Sequence, residues 1–428
     1  MPPTRRIAAI TVVAAITVVA CGAEDDAVTG SNAVDSTDVL GETTDEVPAA
    51  DVVAYSESDA EVIGTEQIPS SPRDDSQPSG LRTFGDPVDE LPPPAIDLSV
   101  LRSGGPPPDG IPSIDDPRFH RASTVDYLAP TDPVIALEIN GDARAYPLDV
   151  LIWHELVNDT VGGVPVSVAY CPLCNSVTVY DREIDGRVLD FGVSGLLFNS
   201  SLVMYDRQTE TLWSHFTGEP LYGALAEAEL FSRPATIVGF GTWQADHPDG
   251  LVLNRDTGAR RNYGANPYPG YDDVNSEPFL FEGDVDGRFT AMTRVVGVET
   301  EAGTDAAAFP LLELRDQGVV TSELGGEEIV AFWVPGSSSA LDGAEVSGGV
   351  DVGATGVFST EIDGRELTFT AELGDGDTII TDDQTGSTWN IFGESTSGEL
   401  AGTQLDQLVH IDTFWFAWVA FHPATAVA

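Results

Sequence analysis

Hydrophobic residues recur in short runs that contain β-branched and aromatic side chains, and Gly, Pro, Asn and Asp separate the runs. Residues 164–170 (VPVSVAY) combine β-branched and aromatic side chains, which predicts a strand. Residues 177–180 and 188–193 predict two more strands, and Asp185-Gly186 between them is typical of a hairpin turn. The dominant pattern therefore favours antiparallel β-sheet.

A helical spacing appears in residues 146–158, where Pro147 suits the start of a helix. The apolar positions that follow this spacing are Leu148, Leu151, Ile152 and Leu156. Together with the strands, this spacing predicts an α+β, β-rich fold in which one or two helices accompany each antiparallel sheet.

The sequence also repeats itself weakly. Residues 145–148 (AYPL) resemble residues 308–311 (AFPL), and residues 185–187 (DGR) recur as residues 363–365. Further matching pairs are Gln208-Thr209 with Gln384-Thr385, Trp213 with Trp389, and His247-Pro248 with His422-Pro423. We therefore predict two similar repeat units, of which the second is degenerate.

The N-terminus has the features of an export signal. Arg5 and Arg6 precede an apolar run at residues 7–20, which is too short to span a bilayer. The run ends in Val-Val-Ala before Cys21, which resembles a bacterial lipobox and implies cleavage and acylation at Cys21. We expect an extracytoplasmic protein that is lipid-anchored to the cell membrane.

Residues 21–91 are rich in Asp, Glu, Ser, Thr, Gly and Pro and contain few aromatic residues. Such a segment buries too little apolar surface to offset its chain entropy, so we predict a disordered acidic linker. The predicted organisation is a signal peptide at 1–20, this linker at 21–91, a first unit at 92–285 and a second unit at 286–428.

The charge of the chain narrows its partners. The 70 Asp and Glu residues outnumber the 19 Lys and Arg residues, which gives a formal net charge of −51. Binding to phosphate groups needs clusters of Lys and Arg, so nucleic acid is not an expected partner. For the same reason we do not expect the protein surface itself to dock on an anionic membrane face.

The most reactive side chains occur in the first unit only. Cys171 and Cys174 stand where the second unit has Val334 and Ser337. Three other side chains of this kind also occur in the first unit only. They are His154, Met204 and His215, which align with Gln317, Ile380 and Ile391 in the second unit. Residues shared by both units are candidates for the scaffold, so residues present in one unit are candidates for function.

Three kinds of chemistry fit these residues. Cys171 and Cys174 can bind copper or zinc, because thiolates suit both metals. His154, Met204 and His215 are then the candidates for the other ligands, and a thioether favours copper. Alternatively, the two thiols cycle between dithiol and disulfide, or they form an inert disulfide in an oxidising compartment.

Several long motifs resemble the bacterial and archaeal DUF3179 family of proteins of unknown function. They are residues 153–155 (WHE), 157–166 (VNDTVGGVPV), 170–176 (YCPLCNS) and 204–209 (MYDRQT). The resemblance runs from about Arg102 to the end of the chain. It implies that the Cys motif, the Trp-His-Glu helix and the Met-Tyr-Asp-Arg turn belong to one site.

Four polar residues are expected to surround the candidate ligands. Glu155 and Asp159 follow His154 closely in the sequence and can orient it. The resemblance adds Asp206 and Arg207 through the Met-Tyr-Asp-Arg turn. The chain departs from the family at His215, where Gln is expected, and this departure favours Met204 over His215 as a ligand.

These observations favour an exported lipoprotein that binds a transition metal, copper rather than zinc. Its function would be metal holding, delivery or electron transfer, with a protein partner that exchanges metal or thiols. One alternative is a thiol–disulfide oxidoreductase that acts on exported proteins. Another is a surface module whose exposed Trp and Tyr residues bind a polymer, with the cysteines as a structural disulfide.

Overall fold

The structure is a computed structural model that describes residues 60–374 and 376–428. The predicted signal peptide, Cys21 and the linker up to residue 59 lie outside these described residues. The protein is β-rich, as predicted, with 38 % strand and 11 % helix distributed over several separate sheets. Within the described ranges, no helix is both long and apolar enough to cross a membrane.

The first described segment contains only short elements. They are β1 (Ile63–Gly64), α1 (Gly80–Thr83), β2 (Arg102–Ser103) and β3 (Arg118–Arg121), with 3₁₀ turns at Leu98–Val100 and Ala122–Thr124. β1 pairs with β3 in antiparallel orientation, so this segment already belongs to a sheet of the main body.

Residues 60–91 were predicted to belong to the disordered linker, but in the structure they pack against the body. Gln67 Nε2 donates to Asp159 Oδ1 at 2.8 Å, and Arg73 Nη2 lies 2.6 Å from Glu210 Oε1. The Ser71 amide also donates to the Val188 carbonyl at 2.8 Å. The segment is held by polar contacts with the body, which its low apolar content does not reveal.

A first series of elements follows. It consists of β4 (Pro133–Ile139), β5 (Asp142–Pro147), α2 (Leu148–His154), β6 (Leu156–Val161), β7 (Val164–Cys171), β8 (Ser176–Asp181), β9 (Glu183–Ile184), β10 (Arg187–Val188), β11 (Phe191–Phe198), β12 (Ser201–Asp206), β13 (Leu212–Ser214), β14 (Pro220–Tyr222), β15 (Thr236–Gly239), α3 (Phe240–Asp246) and β16 (Leu251–Leu253).

A second series has the same order of strands and helices. It consists of β17 (Arg294–Glu299), β18 (Ala306–Pro310), α4 (Leu311–Gln317), β19 (Val319–Leu324), β20 (Glu327–Val334), β21 (Ala354–Ser359), β22 (Glu361–Ile362), β23 (Arg365–Glu366), β24 (Phe369–Gly374), β25 (Asp377–Asp382), β26 (Thr388–Trp389), β27 (Ser395–Ser397), β28 (His410–Phe414), α5 (Trp415–Phe421) and β29 (Ala426–Val427), with a 3₁₀ turn at Val346–Gly348.

The sheets of the two series also have matching strand orders. One sheet contains the order β16-β5-β4-β15, and another has the order β29-β18-β17-β28. In each of them the last strand of the series pairs in parallel with the second, and the other pairs are antiparallel. The three-stranded sheets β6-β7-β8 and β19-β20-β21 correspond in the same way.

The helix predicted for residues 146–158 is shorter in the structure. α2 ends at His154, and Glu155 at its C-terminus adopts a left-handed conformation with φ 58°. The chain then continues as strand β6, so Leu156 belongs to a sheet. Its apolar spacing fitted both a helix and a strand, because a short run samples too few turns to separate the two periods.

Each terminal helix packs into the core of the other series. Trp243 of α3 shares a hydrophobic cluster with Phe332 of β20. Trp418 of α5 shares the other large cluster with Tyr170 and Trp213 of the first series. Each of these two clusters therefore contains residues from both series.

The aromatic side chains are mostly inside. Six of the seven tryptophans are buried, and the remaining one, Trp153, is half-buried with its Nε1 donating to the Ala265 carbonyl at 3.1 Å. The polymer-binding alternative expects exposed Trp and Tyr residues, and none of the seven tryptophans, all of which are described, is exposed.

Candidate functional site

The two cysteines lie at one β-hairpin turn. β7 ends at Cys171, β8 begins at Ser176, and these two residues are paired across the hairpin. Cys174 lies within the four turn residues between them, and Asn175 closes the turn with φ 53°. Asn tolerates this left-handed conformation better than most residues, so the local sequence suits a tight turn.

Both thiols are free and buried, with Cys171 1 % and Cys174 0 % exposed. The Cys174 Sγ lies 2.9 Å from the Ser176 Oγ and 3.4 Å from the Ser201 Oγ. The Cys174 thiol also donates to the Cys171 carbonyl at 3.9 Å. The turn therefore brings together a dithiol and two serine hydroxyls.

The environment separates the acidities of the two thiols. Burial raises the pKa of Cys171 well above its usual value, and the hydrogen bond with Cys174 raises it further. Burial also opposes ionisation of Cys174, but hydrogen bonds from Cys171, Ser176 and Ser201 together outweigh it and lower the pKa of that thiol. Cys174 is therefore the thiol that ionises first.

A carboxyl group lies beside the pair. Glu155 is 8 % exposed, and its carbonyl accepts a hydrogen bond from the amide of Tyr170, the neighbour of Cys171, at 2.8 Å. Burial raises the pKa of Glu155 well above its usual value, and the charge of Cys171 adds to this. Burial therefore favours the protonated form of the Glu155 carboxyl.

His154 has other partners. Its Nδ1 donates to the Pro112 carbonyl at 2.7 Å, and its Nε2 lies 2.7 Å from the Tyr263 hydroxyl. The Tyr263 ring stacks on the imidazole with a centroid separation of 5.8 Å. Both ring nitrogens are therefore occupied, and the structure does not direct a free nitrogen of His154 to the thiols.

Met204 and His215 lie in the same buried region. Met204 is in the hydrophobic cluster that contains both cysteines. The His215 amide donates to the Leu202 carbonyl at 3.1 Å, which joins the backbone of His215 to β12, the strand that contains Ser201 and Met204.

The His215 ring itself is fully buried, and burial lowers its pKa to about 4. Neither ring nitrogen has a hydrogen bond of normal geometry within the described residues, although the Ala169 carbonyl lies near the ring. His215 is therefore a neutral imidazole close to the dithiol.

The other predicted surrounding residues have structural partners. Asp206 accepts from the Thr209 amide at 2.6 Å and from Trp213 Nε1 at 3.0 Å. Asp159 accepts from Arg144 and Tyr146, and Arg207 donates to Asp109 and Asp115. None of these hydrogen bonds involves a thiol, so these side chains order the strands and turns around the site.

The five residues predicted as metal ligands have different surroundings in the structure. Among the residues that the structure describes, no group of three or more His, Cys, Asp and Glu side chains is arranged to hold a metal ion. The structure brings together Cys171 and Cys174 but turns His154 to other partners.

The sequence reasoning missed the tyrosines that cover the site. The Tyr271 hydroxyl donates to the carbonyl of Leu173, which lies between the two cysteines, at 2.8 Å. Tyr268 is close enough for the charges of Glu155 and Cys171 to raise its pKa, after the larger effect of burial. The available signal was the run of tyrosines at 263, 268 and 271 in the segment between the two series.

The fold and site define a β-rich protein with a buried dithiol turn. The chain belongs to the DUF3179 family, described as a protein of unknown function, which matches residues 108–425. A search of curated proteins found no match, and a search of solved structures found none either.

Proposed function

We propose that the protein uses Cys171 and Cys174 as a reversible dithiol–disulfide centre. The observation that carries the proposal is the presence of two free, buried thiols in one hairpin turn, where the hydroxyls of Ser176 and Ser201 contact the Cys174 sulfur. A disulfide needs a sulfur–sulfur distance of about 2 Å, so closing this pair requires only a local movement of the turn.

The reaction partner is a disulfide of a protein or a small molecule. The Cys174 thiolate attacks one sulfur of that disulfide, which forms a mixed disulfide and releases the other sulfur as a thiolate that takes up a proton. Cys171 then loses its proton and attacks the Cys174 sulfur, which releases the second thiol of the partner. Two electrons pass to the partner, and the Cys171–Cys174 disulfide remains.

Cys174 is the attacking thiol because two hydroxyls, those of Ser176 and Ser201, can stabilise its thiolate. A test uses oxidised glutathione and the full chain with Cys21→Ala, which leaves only the pair. We expect Cys171→Ser to keep glutathione on Cys174, whereas the parent proceeds to the internal disulfide. The proposal would be contradicted if Cys174→Ser took up glutathione on Cys171 as readily as Cys171→Ser does on Cys174. It would also be contradicted if the parent kept glutathione as a mixed disulfide and formed no internal disulfide.

A second candidate function is Cu(I) binding by the same two thiolates. Thiolates select Cu(I), and the buried thioether of Met204 lies in the same cluster. Zinc is less suitable because its structural sites use four ligands, and the described residues contain no group of three or more His, Cys, Asp and Glu side chains arranged to hold a metal ion.

An anaerobic titration with Cu(I) against a chromophoric chelator tests this candidate. We expect one equivalent to bind to the parent, none to Cys171→Ser or Cys174→Ser, and weaker binding by Met204→Leu. His154→Phe serves as the matched control and leaves the affinity unchanged, because its nitrogens have other partners. Binding that survives loss of either cysteine would exclude a site of this kind.

We further propose that the protein is exported and lipid-anchored through Cys21, as the N-terminal signal suggests. An exported partner protein would then exchange thiols or metal with the dithiol. Recovery of the parent in the membrane fraction, and of Cys21→Ala in the soluble fraction, is the expected result. Equal distribution of the two proteins would contradict it.

We also infer that the two series arose from one duplicated unit. The common order of elements and the common strand orders support this inference. The second series would then be the copy without the dithiol, since Val334 and Ser337 replace its cysteines.

A further inference from the structure

A buried dithiol needs a route to its reaction partner, and the closed structure offers none at the sulfur atoms, which belong to residues 1 % and 0 % exposed. We propose that residues 256–281 form a lid over the thiol pair, and that a His154–Tyr263 latch holds it shut. The proposal rests on the thiol pair as the functional site, but it applies equally to a disulfide partner and to a metal ion.

The lid covers the cysteine turn directly. The Tyr271 hydroxyl donates to the Leu173 carbonyl at 2.8 Å and accepts from the Phe279 amide at 3.1 Å. The Ser200 hydroxyl donates to the Phe279 carbonyl at 2.5 Å, beside Ser201 at the start of β12. The lid therefore closes both over the cysteine turn and over the strand that supplies a hydroxyl to Cys174.

The end of α2 holds the other part of the lid. His154 donates through Nδ1 to the Pro112 carbonyl, which leaves its Nε2 as an acceptor for the Tyr263 hydroxyl. The Thr257 hydroxyl completes the chain by donating to the Tyr263 oxygen at 2.5 Å. Trp153 adds a bond to the Ala265 carbonyl. This arrangement explains why a histidine near the thiols has no nitrogen directed at them.

The lid is built to move more easily than its surroundings. Residues 254–293, all described, form no helix or strand, so no regular ladder of hydrogen bonds stabilises them internally. Leu280 adopts φ 49° and is 41 % exposed, an unfavourable conformation for a residue with a Cβ. Opening would release this strain at the C-terminal end of the lid.

On its outer side the lid binds the second series. The Gly270 amide donates to the Asp342 carbonyl at 2.8 Å, and the Asn266 amide donates to the Ala344 carbonyl at 2.9 Å. These backbone bonds survive side-chain substitution. The tyrosine hydroxyls at the inner side are the contacts that a single substitution removes, and they provide the test.

The experiment measures how fast N-ethylmaleimide modifies the native full chain carrying Cys21→Ala. We expect Tyr263→Phe and Tyr271→Phe to accelerate modification about fivefold to tenfold, the effect of one lost hydrogen bond on an opening equilibrium. Tyr222→Phe is the matched control, since its buried hydroxyl accepts from the Val88 amide away from the lid. Equal rates in all three variants would overturn the proposal.

A second measurement needs no variant. Modification of the parent is followed at low urea concentrations, where the protein stays folded. We expect the rate to depend only weakly on urea, because opening a lid exposes little surface. A dependence as steep as that of global unfolding would show that the thiols react only in the unfolded chain, and would contradict the lid.

These measurements separate the lid from the proposed redox function. Modification by maleimide reports access and requires neither disulfide formation nor metal. If the variants react faster but the pair never forms a disulfide, the lid stands and the redox function fails. If the pair cycles but the variants match the Tyr222→Phe control, the function stands and the lid fails.

Discussion

The turn after α2 and the turn after α4 have the same backbone but different chemistry. Glu155 donates its amide to the Leu151 carbonyl at 2.6 Å, and Gly318 donates to the Leu314 carbonyl at the same distance. Both residues are left-handed, with φ 58° and 75°. The Glu155 carbonyl accepts a hydrogen bond from the Tyr170 amide of β7, and the Gly318 carbonyl accepts one from the Trp333 amide of β20. Both hydrogen bonds are 2.8 Å long.

Glycine is the usual residue at such a helix end, because a Cβ disfavours the left-handed conformation. The second series follows this rule and the first series does not. The first series instead places a buried carboxyl group beside Cys171. The comparison indicates that the common backbone belongs to the fold, and that the first series differs from the second by a residue with a Cβ in a left-handed conformation beside the proposed dithiol centre.

In a second pair of turns, the side chains of the two series make the same contacts. Asp206 accepts from the Thr209 amide and Asp382 from the Thr385 amide, both at 2.6 Å. Asp206 also accepts from Trp213 Nε1 at 3.0 Å, as Asp382 does from Trp389 Nε1 at 3.1 Å. Identical contacts in both series point to a scaffold role, although Asp206 belongs to a motif that the resemblance placed at the site.

The largest effect should come from removing these shared aspartates. We expect Asp206→Ala and Asp382→Ala each to lower the free energy of unfolding by about 2–4 kcal/mol, because buried backbone and indole donors lose their acceptor. Urea unfolding measures this loss. Full stability in Asp206→Ala, combined with loss of thiol reactivity, would instead assign that residue to the site.

The glycine of the second series should be the next most sensitive position. Gly318→Ala should cost about 1–3 kcal/mol, because φ is positive there and an added Cβ would lie 2.6 Å from the Ala371 Cβ. Thermal or urea unfolding gives the value. An unchanged stability would mean that the two turns are not held as the comparison requires.

The pH dependence of stability sharpens the comparison at Glu155. The unfolded chain titrates near the ordinary pKa of 4.5, whereas burial raises the folded pKa well above it. At pH values between the unfolded-state pKa and the folded-state pKa, the folded state binds more protons than the unfolded state. The free energy of unfolding therefore falls as pH rises, by up to about 1.4 kcal/mol per pH unit.

Replacement by glutamine isolates that contribution. Glu155→Gln removes the titrating carboxyl group. The free energy of unfolding of this variant, relative to that of the parent, should therefore increase with pH above about 4.5. Unfolding curves between pH 4 and pH 8 measure the difference. If the difference in free energy of unfolding between variant and parent stayed constant with pH, the folded state would not shift the pKa of the Glu155 carboxyl.

The smallest effect is a gain. Glu155→Gly should raise the free energy of unfolding by about 1 kcal/mol, since it removes the cost of a left-handed residue with a Cβ. Thermal unfolding at pH 7 measures the gain, and Glu313→Gly on the exposed part of α4 provides a control that should lose stability. A loss in both variants would show that Glu155 stabilises the fold.

Much of the fold was accessible from the sequence. Residues 164–170 form most of β7, and the Asp185-Gly186 turn has left-handed φ values of 51° and 74°, as a hairpin turn requires. The turn joins the short strands β9 and β10, however, whereas the predicted partners at 177–180 and 188–193 lie mainly in β8 and β11, which belong to different sheets. Local patterns sufficed there, because alternation and turn residues act over a few positions.

The site was less accessible. The spacing of Cys171 and Cys174 indicated a shared turn, but nothing local could show that His154 bonds to Tyr263, more than one hundred residues away in the chain. Packing of α5 against the first series is equally non-local. The ordered part of the linker was missed because its partners, such as Asp159, lie on distant strands.

The most direct test of the central claim is the redox equilibrium of the dithiol. The full chain with Cys21→Ala is equilibrated in thiol–disulfide buffers, trapped with an alkylating agent and analysed by mass spectrometry. We predict that Cys171 and Cys174 change together in a two-electron transition, at a potential above about −300 mV, the range of structural disulfides. Thiols that stay reduced in every buffer, or a potential below that value, would contradict a reversible dithiol centre.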